Sequence, residues 1–273
     1  LADGLDFGGF IISMIIGGLI LSLYTGLLGY VGAKTGLSLD LLSQRAFGEK
    51  GSYLPSAMTS FTQIGWFSVG SFVSGGTATP NFARFAKNGK SGAITTVVAF
   101  FIGNSLMFFF GAVSSIFVGG NDIFEVMVRL NLFYLAVLVL GLNIWTTNDN
   151  ALYTAGLGLA NIFHQRKKPM VLLSGIIGTV ASVWLYYNFC GWLNILNCTL
   201  PPVGMILVLA YFMNKEDFET DQPKLKTVDW FAVAGVILGA IVANLLHWGI
   251  ASINGMVVAA VCYCVGQAVN KRK

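Results

Sequence analysis

Long apolar stretches alternate with short polar ones along this chain, and their lengths decide its class. Phe7–Gly32, Gly92–Asn121 and Met170–Asn214 contain no charged residue. About 20 apolar residues suffice for a helix to cross a bilayer, so each stretch is long enough to span, and the last is long enough to do so twice. The pattern predicts helices at about 7–32, 52–67, 68–79, 91–118, 131–163, 170–189, 191–212, 228–246 and 248–269. Apolar residues make up 55% of the chain and charged ones 10%, with a mean hydropathy of +0.73. A soluble domain carries about twice that charged fraction. The expected fold is an all-α polytopic membrane protein, one transmembrane domain over 1–273.

Charge changes the picture through its placement. Fifteen of the 16 basic residues fall into five groups: Lys34, Arg45 and Lys50; Arg84, Lys87 and Lys90; Arg166–Lys168; Lys215, Lys224 and Lys226; and Lys271–Lys273. Only Arg129 stands apart. Basic loops stay on the cytoplasmic side of a membrane, so all five groups are expected there. That reading makes the net charge of +4 a topology signal and not a nucleic-acid footprint. A single continuous helix over 52–79 would put the first group opposite the rest. The parity therefore predicts that 52–67 and 68–79 belong to different helices, with a chain break between Phe67 and Ser68. The start at Leu1 without a Met predicts a longer native N-terminus. The four cysteines show no metal-ligand spacing and read as small buried hydrophobes.

One apolar stretch carries polar residues near its middle, "GLNIWTTNDNALY" at 141–153. If it were a surface loop, residues 131–142 would have to span alone, and twelve residues make only about 18 Å of helix. The segment 131–163 works instead as one long helix centred on Thr147. Asn143, Thr146, Thr147 and Asn150 then share one face at i, i+3, i+4 and i+7. Polar side chains at that depth face protein, water or a ligand, so the stripe is either interhelical glue or a site. Its neutral oxygens suit a hard cation such as Na⁺. Asp149, at the edge of the stripe, is a candidate titrating group or a structural carboxylate.

Two further stretches point to a site. "SVGSFVSGGTATPNFARF" at 68–85 mixes glycine, small hydroxyl residues and Pro80. This composition fits a broken helix lining a cavity, or a close helix contact. In "FTQIGWF" at 61–67, Gln63 and Trp66 share a face, and Phe72 adds a second aromatic. Aromatic faces with amides at their edges suit a flat hydrogen-bonding heterocycle.

Together with "LGYVGAKTGLS", "FFIGNSLMFFFGA" and "GIIGTVASVWLYYNF", these stretches resemble the nucleobase:cation symporter-1 family over essentially the whole chain. The resemblance implies the inverted-repeat fold of the leucine-transporter type, about twelve helices and alternating access. The family's first helix, the end of its third, and its fourth and fifth have no counterpart here. It implies Na⁺-coupled import of cytosine across a bacterial inner membrane, with no other cofactor. Alternatives are another base or a hydantoin, or proton coupling through Asp149. Carried over, Trp66 and Phe72 sandwich the base, and Gln63, Ser74 and Asn148 contact its polar groups. Asn143 (by its carbonyl), Thr146 and Thr147 form the helix part of the Na⁺ site. A membrane-embedded enzyme finds little support, with two histidines and no nucleophile–base arrangement. A passive channel is the remaining alternative.

Overall fold

A computed structural model describes residues 7–69, 75–119, 123–223, 225–246 and 249–270. Among them every regular element is helical. In chain order these are α1 (Phe7–Thr35), α2 (Leu39–Phe47), α3 (Tyr53–Val69), α4 (Gly75–Ala78), α5 (Pro80–Ala83), α6 (Gly89–Val98), α7 (Asn104–Val118), α8 (Ile123–Arg129), α9 (Phe133–Phe163), α10 (Lys167–Tyr187), α11 (Phe189–Met213), α12 (Lys215–Glu219), α13 (Trp230–Leu245) and α14 (Ala251–Asn270). A single π-helical segment, Ala99–Gly103, joins α6 to α7 in one rod. Five helical stretches of the described residues are long and apolar enough to cross a membrane: Phe7–Thr35, Gly89–Val118, Lys167–Leu185, Gly191–Met213 and Ala251–Asn270.

The expected helices are present with small shifts at their ends, except 68–79: its first two residues continue α3, residues 70–74 lie outside the described residues, and α4 covers only Gly75–Ala78. α9 is continuous over 31 residues, about 46 Å of helix, and its middle falls at Asn148. The polar block is thus inside a helix and not in a loop. α3 runs on through Ser68 and Val69, two residues past the expected boundary. The 75–83 segment is split at Thr79, and Pro80 opens α5 at its first position, where its missing N–H costs nothing.

Two apolar clusters hold the bundle. The larger joins α1, α2, α11, α13 and α14 through Leu28, Val31, Leu42, Phe47, Ile206, Tyr211, Val236 and Tyr263. The smaller packs Ala151 of α9 against Leu185, Trp192, Leu196 and Leu200 of α10 and α11. Outward-facing side chains are apolar as well: Tyr134 is 88% exposed, Phe117 83% and Trp145 71%. In water such a surface would be a liability, whereas lipid tails solvate it. With no hydrophobic force between helices in lipid, close backbone packing matters more. Gly32 allows α5 to reach α1, because a Cβ there would lie 2.7 Å from Pro80 Cα.

Four of the five basic groups meet at one end of the bundle. Lys34 Nζ lies 3.8 Å from Glu219, and a Cβ on Gly89 would come 3.2 Å from Lys34 Cβ. Arg45 donates to the carbonyls of Asp217 and Thr220, at 2.6 and 3.0 Å. The Glu49 and Lys50 amides donate to Lys226 O and Thr227 O, at 2.7 and 2.8 Å. Tyr53 is hydrogen-bonded to His164, at 2.7 Å, beside the third group. The fifth group lies outside the described residues. Arg129, separated from this end by the whole α6–α7 rod, pairs with Glu125 instead.

That arrangement predicts a common sidedness. Single cysteines replacing Lys34, Lys87 and Lys167 should stay unlabelled by a membrane-impermeant thiol reagent in intact cells, relative to the parent. All three should label once the membrane is opened. Ready labelling of Lys87→Cys with protection of Lys34→Cys would place the two groups on opposite sides.

Candidate functional site

Register between α3 and α9 fixes what meets in the centre of the bundle. The two helices run antiparallel. Ser60 Oγ donates to Ala155 O at 3.1 Å, and Asn161 Nδ2 donates to Ser56 Oγ and Ser52 Oγ at 2.9 and 3.1 Å. Gly158 permits this approach, since a Cβ there would stand 2.2 Å from Ser60 Oγ. One turn above Ser60, Gln63 therefore comes level with residues 151–154 of α9.

A cleft of about 490 Å³ opens here between α3, α4–α5, α6 and α9, within the range of small-molecule sites. Gln63 lines it, as do Asn143, Thr146, Thr147 and Asn150, so the structure brings the amide of α3 and the polar stripe of α9 to one cavity. Thr79, Thr95 and Thr96 contribute hydroxyl groups from α4–α6, and Phe82 and Phe100 contribute aromatic faces. The π-helical turn carries Phe100, and such single-turn irregularities recur at functional sites.

The stripe's hydroxyls have a definite polarity. Thr146 Oγ1 donates to Leu142 O and Asn143 O, at 3.1 and 3.0 Å. Thr147 Oγ1 donates to Asn143 Oδ1 at 3.3 Å. A hydroxyl has one proton. With that proton committed to its own helix, each threonine offers only lone pairs outward, which is what a hard cation requires.

The other expected site residues fall elsewhere. Asn148 is half-buried off the cleft lining, one residue (about 100°) round the helix from Thr147, and its Oδ1 has no hydrogen-bond partner among the described residues. Asp149 is exposed and also off the lining. Trp66 lies in the last turns of α3, but its side chain is outside the described ones, and Phe72 and Ser74 are outside the described residues altogether. Thr154 lines the cleft without having been singled out. Its signal was legible, because Asn143, Thr147, Asn150 and Thr154 form an i, i+4, i+7, i+11 series. Phe82 and Phe100 had no such signal.

Below the cleft a polar junction ties α2, α3 and α9. Asp40, 5% exposed, accepts from Ser56 Oγ at 2.6 Å. Gln44 Nε2 donates to Asn161 Oδ1 at 2.6 Å. Arg84 donates to Tyr153 Oη at 2.5 Å and lies over the Phe85 ring, while Lys167 lies over the Tyr153 ring. Burial pushes the Asp40 carboxyl up to about 6, against the opposing pull of the Ser56 hydroxyl and the Arg84 charge.

Comparison with known proteins bears on this arrangement. The sequence matches a family described as "Permease for cytosine/purines, uracil, thiamine, allantoin" at residues 1–78 and 68–269. It is 35% identical, over 366 residues, to the cytosine permease of Escherichia coli (strain K12), covering 100% of this chain and 87% of that protein. The cytosine permeases of the O6:H1 and O157:H7 strains match to the same degree.

The junction itself can be tested without any ligand. A carboxyl whose folded pKa is raised holds its proton more tightly in the folded state. The stability it contributes is fully present below the unfolded value, about 3.9, and is lost as pH rises through 6. Lowering the pH from 7 to 5 should therefore tighten the α2–α3–α9 junction by on the order of 1 kcal/mol. Hydrogen exchange of the α2 amides should show this in the parent and not in Asp40→Asn. An identical pH response in both proteins would contradict it.

Proposed function

The chain belongs to the family of permeases for cytosine/purines, uracil, thiamine and allantoin, and we propose that it is a secondary active transporter that imports cytosine with Na⁺ by alternating access. The observation that carries this reading is the shared cleft. Gln63, able to read a heterocycle's polar edge, opens onto the same cavity as two threonines whose lone pairs face outward. Na⁺ and a neutral base need these two kinds of surface, and a common cavity couples their binding. The interrupted α4–α5 segment beside it suits a leucinetransporter-type inverted-repeat fold, in which broken helices line the central site. The membrane we assign is a bacterial inner membrane.

A break in the chain near Phe67 belongs to the same reading. Two facts support it: the family match falls in two segments that overlap at 68–78, and the alignment to the Escherichia coli permease extends over 366 residues against the 273 of this chain. Proton coupling through Asp149 has no geometric support, because that residue is exposed and off the cleft.

Two sets of variants test the two halves of the site. Thr146→Ala and Thr147→Ala each delete an oxygen ligand while leaving the helix intact. Both should raise the Na⁺ concentration needed for cytosine binding, and weaken cytosine binding at low Na⁺ more than at saturating Na⁺. Equal losses at every Na⁺ concentration would make the threonines structural.

For the base, stacking on an aromatic face contributes roughly 1–3 kcal/mol, so Trp66→Ala should lower cytosine affinity about ten- to a hundredfold, and Trp66→Phe should keep part of it. Gln63→Ala should instead reduce the preference for cytosine over uracil, since a polar site rejects ligands that leave its groups unpaired. Competition binding on purified, folded protein measures both. Parent-like cytosine binding by Trp66→Ala would remove the aromatic from the site.

A further inference from the structure

Thr154 lines the cleft and carries a buried hydroxyl with no partner among the described residues. It is 1% exposed, and it lines the same cavity as Gln63. Two neighbouring buried hydroxyls are satisfied: Thr96 Oγ1 donates to Gly92 O at 2.7 Å, and Ser60 Oγ to Ala155 O at 3.1 Å. A threonine in a helix can satisfy itself in the same way, by donating back one turn along its own helix. Thr154 does not, and a buried polar group without a partner is costly to keep.

Its position says which partner fits. The Ser60–Ala155 bond sets Ser60 level with residue 155, so in this antiparallel pair Gln63, one turn further up α3, stands level with residue 152, within one turn of Thr154 on the neighbouring helix. Thr154 is seven residues from Thr147, about 10 Å along the axis, so the two cannot ligate one cation. No acidic residue lines this cleft among the described residues, so nothing there balances a second cation. A hydroxyl that can donate or accept, beside a neutral amide and the apolar Ala151, suits an uncharged ring with polar atoms on its edge.

We propose that the Thr154 hydroxyl is a base-contacting group, hydrogen-bonding the polar edge of a flat, uncharged heterocycle held at the level of Gln63. This inference rests on the nucleobase reading above and adds a residue of α9 to the base site. The cation-binding threonines then lie two turns away on the same helix, on the far side of Asn150. Substrate and ion would sit at different levels of one stripe.

The test uses Thr154→Val, which keeps the shape and removes the hydroxyl, with Thr154→Ser as the conservative control. Cytosine binding to the purified full chain is measured at saturating Na⁺, together with the melting temperature with and without cytosine. Thr154→Val should weaken cytosine binding roughly three- to tenfold, and Thr154→Ser should bind close to the parent. The ligand-free melting temperature of Thr154→Val should be equal to or above the parent's, because the substitution removes an unpaired buried group. A structural role predicts the opposite, a lower ligand-free melting temperature, and that result would overturn the proposal. Unchanged cytosine affinity would overturn it too, as would a shift in Na⁺ requirement alone. If the parent binds cytosine and loses it in Gln63→Ala but not in Thr154→Val, this inference fails while the nucleobase reading stands. If the parent binds no base, both fall.

Discussion

Close contact between α3 and α9 is the constraint on which the centre of the molecule depends. In lipid, water does not drive helices together, so their association rests on packing and on hydrogen bonds between them. Here both act at the same place. Gly158 removes the one Cβ that would strike Ser60, and the gap it leaves lets Ser60 bond the Ala155 carbonyl and Asn161 bond Ser52 and Ser56. A substitution at Gly158 would push the helices apart. It would also shift Gln63 relative to the polar stripe, because both stand on the helices that this contact holds.

The same contact lies between the cleft and the end where the basic groups meet. Above it lie neutral amides and hydroxyls, and below it lie Asp40, Arg84 and the basic groups. The distribution follows from the cost of charge. A neutral hydroxyl can be buried at moderate cost if it finds a partner, while a charge in the membrane is retained only at a water-facing end or beside a compensating group. Asp40, which is buried, has the second, with a hydroxyl donated by Ser56 and the Arg84 guanidinium nearby.

Two stretches of irregular backbone and one polar helix face gather round the cleft. α4 and α5 are interrupted at Thr79, α6 and α7 join through a π-helical turn, and α9 carries its polar residues in the middle of a regular helix. Each departs from the uniform apolar helix that a bilayer favours. They persist where the surrounding helices supply partners for the exposed polar groups. This clustering, more than any single residue, sets the cavity apart from the rest of the bundle and supports the site proposed for it.

The sequence by itself determined the membrane class, nearly all the helix positions and the shared end of four of the five basic groups. Each of these depends on local composition: twenty apolar residues must be helical in lipid, and a lysine cluster must remain in water. It also placed Asn143, Thr146, Thr147 and Asn150 on one face, because a helix of known period fixes relative angle. Only the tertiary structure decided which face of α3 and which turn of α9 meet. That is why Gln63 and Thr154 line one cleft, why Asn148 lies off it, and why Phe82 and Phe100 line it. Depth along a helix pair is set by side chains that interlock at a few points, here Gly158, Ser60 and Asn161. No pattern within one segment encodes how two segments slide past each other.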